Sequence, residues 1–269
     1  PICVAMGWTS AYLAGAPADP LLLLLAFVGA LCAHIAVNVL NEYDDFQSGL
    51  DMQTQRTPFS GGSGTLPANP ELAFWAWRIA MAALGLTVLC GLMLVVLVPE
   101  ARLGLVLIGV VGVMSILTYT RWINRLPWLC LLAPGIGFGL LLRGQLDAIA
   151  WALALIPFAL VNNLLLLNQL PDMDADRHAG RRTFPIAYGK PITLVVYGLF
   201  GALTHVWIVV GWLLEIWPAG GLFGLLTLPL LWLVVAGVHR GNSDLPHYLG
   251  LNVIMVLLTP LLFMAGILL

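Results

Sequence analysis

Two short segments concentrate the side chains best suited to chemistry. The first reads Asn41-Glu42-Tyr43-Asp44-Asp45-Phe46-Gln47-Ser48-Gly49-Leu50-Asp51, and the second Asn168-Gln169-Leu170-Pro171-Asp172-Met173-Asp174-Ala175-Asp176-Arg177. Together they hold seven of the thirteen acids in the chain. His34, Asn38, Asn41 and Asp45 step by four, three and four, which places them on one face of a helix. Asn168, Asp172 and Asp176 step by four and four and form a second stripe, with Pro171 able to kink or break it. Carboxylates and amide oxygens at this density suit a hard cation. Magnesium is the natural ion, because it retains waters and binds through one or two carboxylates plus substrate phosphate. An acidic surface loop after each helix would explain either segment alone. Two such segments, each continuing a polar stripe, favour a functional site.

Between the clusters, Arg56 precedes Thr57-Pro58-Phe59-Ser60-Gly61-Gly62-Ser63-Gly64. Glycines let backbone amides converge into an anion nest, and a guanidinium beside it can grip phosphate in bidentate fashion. A plain flexible loop is the alternative. Neither a Walker-type nor a dinucleotide fingerprint is present, and no zinc-ligand spacing or nucleophile triad is visible.

The elements that must carry these segments are apolar helices. Of 269 residues, 61% are hydrophobic and only 9% charged, where soluble domains carry about 25% charge. That excludes a water-soluble fold and disorder alike. A net charge of −2 with a single lysine, Lys190, argues against nucleic acid as a partner. Nine apolar segments reach membrane-spanning length, near 1–16, 20–42, 72–98, 102–120, 127–145, 149–171, 190–214, 219–238 and 247–268. The expected fold is all-α, a polytopic membrane bundle of about nine helices in one domain over 1–269. The first span is short and the chain opens on Pro1, so further residues are expected before it. Nine of the eleven Lys and Arg lie on or beside alternate connections, the set that includes both acidic segments. By the positive-inside rule those loops face the cytoplasm, which places a multi-pass protein in the cell (inner) membrane with its active-site cap inside. The four cysteines read as small packing residues.

The acidic segments resemble the paired aspartate motifs of the UbiA superfamily of intramembrane prenyltransferases. Asn41 matches the opening asparagine of the first motif, Glu42 stands where an aspartate is usual, and Asp45 matches the next acid. The Asn-x-Tyr-x-Asp-Phe-x-x-Gly-x-Asp form, ending at Asp51, is similar to the menaquinone-pathway branch. Asp172 and Asp176 fit the second motif, and the run from Asp176 through Arg177, Arg181 and Arg182 to Gly189 resembles its continuation. The fifth span, Ala133-Pro134-Gly135-Ile136-Gly137-Phe138-Gly139, lacks the acid of that branch's glycine-glycine-glutamate segment.

The resemblance implies an enzyme that moves a polyprenyl group from an allylic diphosphate to an aromatic, quinone-precursor-like acceptor, with Mg2+ assisting diphosphate departure. It implies Asn41, Asp45, Asp51, Asp172 and Asp176 as metal ligands. Asp45 and Asp172 would be central to catalysis, and Arg56, Arg177, Ser60 and Asn38 would contact diphosphate or substrate. Asp44 and Asp174 lie off the stripes. Arg181 and Arg182 rank below Arg177. Tyr119 ends the fourth span, where its ring could face the allylic cation or merely sit at the interface with Trp122. His34 is expected as a buried, hydrogen-bonded residue, and Asn162 and Asn163 as interhelical bonders or cavity lining. A cation-coupled transporter is the main rival, since intramembrane acids also mark ion paths. A family member with haem, chlorin or a lipid alcohol as acceptor is another.

Overall fold

The computed structural model describes residues 2–15, 19–52, 62–119, 122–128, 148–240 and 244–269. We number its longer helices α1 (Ile2–Leu13), α2 (Pro20–Gln47), α3 (Ala73–Leu97), α4 (Arg102–Thr118) and α5 (Ala148–Asn168). A six-residue α6 (Met173–His178), α7 (Phe184–Leu213), α8 (Leu228–His239) and α9 (Leu245–Leu268) follow. Among the described residues no strand occurs, and the fold is the expected all-α membrane bundle. Among the described residues, seven helical stretches are long and apolar enough to cross a bilayer, with α8 extended by the 3-10 stretch Ala219–Thr227. At 12 residues α1 is about 18 Å long, short of a hydrocarbon core of about 30 Å. The expected span at 127–145 lies outside the described residues beyond Trp128.

Local sequence sets where the site-bearing helices begin and end. Asp19 caps α2, its carboxylate accepting from the amides of Leu21 (2.8 Å) and Leu22 (3.4 Å), with Pro20 at the first helical position. Gly49, at φ 76°, ends α2 by a left-handed turn and sends the chain into the 3-10 turn Leu50–Met52. α7 is a short segment and a long one, joined at Gly189, whose φ of 81° breaks the helix just before Pro191.

α5 is the central helix. Leu153, Ile156, Ala159, Leu166 and Leu167 have no exposed surface, and α5 packs on α7 and α9. A second, smaller cluster joins α2 to α3 through Cys32, Ala36, Ala83 and Leu84. Cys32 and Cys90 are buried free thiols, in keeping with their reading as packing residues, and Cys130 lies outside the described residues. Large apolar side chains such as Phe74, Trp75 and Leu103 point outward, where lipid tails cover them at no hydrophobic cost.

Lipid tails are as apolar as leucine, so helices in a bilayer associate through close packing rather than through the hydrophobic effect. The junction of Ala219–Thr227 with α9 depends on two glycines. A Cβ on Gly266 would stand 1.9 Å from the Gly220 carbonyl oxygen, and one on Gly220 would stand 1.8 Å from that of Gly266. Backbone cannot yield as a side chain does. Gly266→Ala is expected to destabilise the protein by about 1–3 kcal/mol, read as a lower melting temperature in detergent. Gly91→Ala, where a Cβ meets nothing within 4 Å in mid-helix, should be neutral or slightly stabilising.

Asn162 and Asn163 are fully buried. Asn162 donates to the Phe158 carbonyl (2.7 Å) within its own helix, and at Asn163 it is the backbone carbonyl, not the side chain, that accepts from the Asn252 side chain (3.4 Å), so neither asparagine side chain makes the expected interhelical bond among the described residues. The Tyr197 hydroxyl donates to the Asn252 amide oxygen (2.9 Å), so the polar link between α5, α7 and α9 is interhelical.

Candidate active site at the end of the bundle

The first acidic segment delivers its side chains in two steps. Asn41 and Asp45 lie one turn apart on α2, with the Asn41 amide donating to the Asp45 carboxylate (3.0 Å). The turn at Gly49 then folds the chain back, so that Asp51 is buried beside the end of the same helix. The spacing from Asp45 to Asp51 therefore follows the reversal and not a helical repeat. Asp44 is buried as well but is not among the cavity-lining residues.

The second segment is not one continuous stripe. α5 ends at Asn168, a turn containing Pro171 intervenes, and α6 starts after Asp172. The Asp176 amide bonds the Asp172 carbonyl (2.8 Å), which keeps the two acids one turn apart. α6 then closes in a Schellman motif. The Gly180 amide donates to the Arg177 carbonyl (3.1 Å) and the Arg181 amide to that of Asp176 (2.9 Å), with Gly180 at φ 74°. That reversal turns Arg181 back onto the acids. Its guanidinium donates to Asp176 (3.0 Å) and to Asp45, linking α2 to the segment after α6.

The two segments thus meet. Asn41, Asp45, Leu50, Asp51, Gly62, Asp172, Asp176 and Arg181 line one cavity of about 120 Å³. Burial raises the Asp176 carboxyl above the ordinary carboxylate range, against the pull of Arg181 in the other direction. Burial works against the Arg181 charge, but Asp45 and Asp176 outweigh it and strengthen that charge further. Four carboxyls and one guanidinium line the cavity among the described residues, an excess of negative charge that calls for a further cation.

The donor set, carboxylate and amide oxygens without sulfur or imidazole, fits magnesium by its chemistry. Asn168, one turn before Asp172, keeps a buried amide oxygen with no donor among the described residues, which also suits a hard cation. Among the described residues no three acids, histidines or cysteines are grouped closely enough to hold an ion as they stand. Arg181 occupies the middle ground instead.

The other expected site residues fall elsewhere. Asn38 is exposed and donates back to the His34 carbonyl (2.7 Å), away from the cavity lining. His34, expected to be buried, is exposed. Arg177 points outward to Asp174 (3.3 Å), with 56% and 90% of the two side chains exposed, so the guanidinium at the acids belongs to Arg181. Tyr119 is half-buried at the end of α4 and does not line the cavity. Arg56, Ser60 and the Ala133–Gly139 stretch lie outside the described residues. Adjacency in sequence favours Arg177, whereas the structure places Arg181 beside the acids. The signal for it is Gly180, a helix-ending glycine that returns the next residue toward the turn it leaves.

An all-α membrane bundle with an acid-rich polar cavity at one end is the architecture of an integral-membrane protein built to handle a charged group beside lipid. The model of the UbiA prenyltransferase family matches residues 2–246, and the chain belongs to that family. A curated relative, the 1,4-dihydroxy-2-naphthoate octaprenyltransferase of Bacillus subtilis (strain 168), is 26% identical over 202 residues. That match takes in 71% of this chain and 62% of the relative, so the chain spans somewhat less than two thirds of its length. The fold is similar to the apo structure of a UbiA homolog from Aeropyrum pernix K1, with TM-score 0.74, 19% identity, and 99% and 96% of the two chains covered. It is also similar to a digeranylgeranylglyceryl phosphate synthase structure, with TM-score 0.63, 16% identity, and 98% and 92% covered.

Proposed function

We propose that this protein is a prenyltransferase that moves a polyprenyl group from an allylic diphosphate to an aromatic acceptor at the cytoplasmic face of the cell (inner) membrane. The observation that carries the proposal is the convergence of both acidic segments and Arg181 on one cavity at the end of an apolar bundle. Family membership supports the reaction class, and the name of the Bacillus subtilis relative supports a 1,4-dihydroxy-2-naphthoate-like acceptor.

In this reaction the allylic C–O bond breaks, diphosphate departs, an acceptor carbon bonds the allylic carbon and the displaced ring proton leaves. Magnesium, when bound, supplies positive charge to the departing diphosphate. Asn41, Asp45, Asp51, Asp172 and Asp176 would hold it. Arg181 can turn from its carboxylates to donate to diphosphate oxygens, a planar fork suited to that geometry. Arg56 and Ser60, which precede Gly62 in the chain, would contact the same group, with Asn38 and Arg177 as outer contacts. Tyr119 would face the allylic cation. The apolar spans accommodate the isoprenoid tail and keep water from the cation.

The test is prenyl transfer in isolated membranes, with mass spectrometry of products from a panel of prenyl diphosphates and aromatic acceptors. A prenylated product that appears with magnesium and disappears with EDTA is the expected result. Absence of diphosphate release with every acceptor would reject the enzyme in favour of an ion-coupled carrier.

A further inference from the structure

We infer that Glu42, which stands where the family's first motif usually has an aspartate, is a positioning residue that fastens the Gly62–Thr65 turn against the cavity through Ser63. The inference rests on the prenyl-transfer reading and adds a residue to it. Glu42 follows Asn41 directly, yet its side chain leaves the cavity, whose lining includes Asn41 and Asp45 but not Glu42. The Glu42 carboxylate accepts instead from the Ser63 hydroxyl, across 21 residues of chain.

Proton accounting gives that contact a direction. Ser63 has one hydroxyl proton, and a carboxylate can only accept, so that proton goes to Glu42. The Thr65 amide donates to Ser63 Oγ (3.0 Å), and the Thr65 hydroxyl lies 2.7 Å from the same oxygen. Ser63 Oγ is thus held from two sides, by the Glu42 carboxylate and by Thr65. Ser63 thereby joins α2 to the start of the one-turn helix Thr65–Ala68.

The residue just before Ser63 forms part of the cavity wall. Gly62 has φ 71°, and a Cβ there would stand 3.0 Å from Asp51 Oδ1. Where Gly62 sits decides how much room remains beside Asp51 for a phosphate oxygen. Through Ser63, Glu42 sets that position. Side-chain length matters: an aspartate is shorter by one methylene, about 1.5 Å of reach, whereas glutamine keeps both the length and an accepting oxygen.

The experiment uses the full chain in detergent, with magnesium pyrophosphate as the binding probe and prenyl transfer as the second readout. Glu42→Gln is expected to bind pyrophosphate and turn over within about twofold of the parent, with an unchanged magnesium requirement. Glu42→Asp, Glu42→Ala and Ser63→Ala should each weaken pyrophosphate binding and raise KM for prenyl diphosphate roughly tenfold, the scale of a lost hydrogen bond to a charged group. KM for the acceptor and the melting temperature should stay constant. Glu42→Ala/Ser63→Ala should be no worse than either single change, because both remove one contact. Activity retained by Glu42→Asp and lost in Glu42→Gln would overturn the inference and make Glu42 a metal-side carboxylate. Additive single effects, or parental binding in all variants, would overturn it too. Failure of the prenyl-transfer reading would show separately, as an inactive parent.

Discussion

Asp45→Ala or Asp172→Ala is expected to reduce prenyl transfer by about a thousandfold or more while the protein still assembles in the membrane. The two acids come from segments more than a hundred residues apart in sequence and line the same cavity. Removing one positioned electrostatic contact at an active site costs about a hundred- to a thousandfold, and losing an ion ligand forfeits that ion's charge as well. The fold should tolerate either change, because Arg181 keeps its 3.0 Å contact with Asp176 in both variants. The double variant should be scarcely worse than either single one, since groups that act as a unit do not add. The measurement is initial rate in membranes against saturating prenyl diphosphate, normalised to folded protein. A clean single variant with parental rate would remove the carboxylates from the mechanism.

Arg181→Met should act on stability and activity together. The guanidinium lies between Asp45 and Asp176, with 15%, 10% and 6% of the three side chains exposed. Breaking a buried ion pair by deleting one partner costs about 3–5 kcal/mol, because it strands the opposite charge. The magnesium-free melting temperature should fall sharply. Arg181→Met/Asp45→Asn should recover much of that stability, since one stranded carboxylate is gone, yet recover no activity. Added magnesium should raise the melting temperature of Arg181→Met more than that of the parent, as the ion takes over the missing charge. An unchanged melting temperature in Arg181→Met would show that the ion triad does not hold the two segments together.

Much of the architecture can be read one residue at a time. Apolar runs of about 20 residues can only be spans when backbone groups must be satisfied internally. Asp19-Pro20 opens α2, and Gly49 and Gly180 end helices, by short-range rules that need no partner. The same locality explains why residue type and spacing single out Asp45, Asp172 and Asp176 as candidates, to which the resemblance to the family's first motif adds Asp51. The exposure of His34 is not legible in that way, because a helical stripe tells which residues share a face but not what that face meets. The choice between Arg177 and Arg181 is also out of reach of spacing alone. Arg177 is adjacent to Asp176 in sequence, yet the last turn of α6 directs it outward, and the Schellman reversal brings Arg181 inward instead.

Composition and periodicity by themselves determined an all-α membrane protein with two acid-rich segments at helix ends, because bilayer insertion and helix periodicity act within single segments. Only the tertiary structure decided that Asp45 and Asp176 share one guanidinium, that Gly62 closes against Asp51, and that Glu42 is turned to Ser63. Those pairings join residues as far as 136 positions apart. They depend on which helix faces pack, and the sum of many weak side-chain contacts sets that packing, with no single motif to announce it.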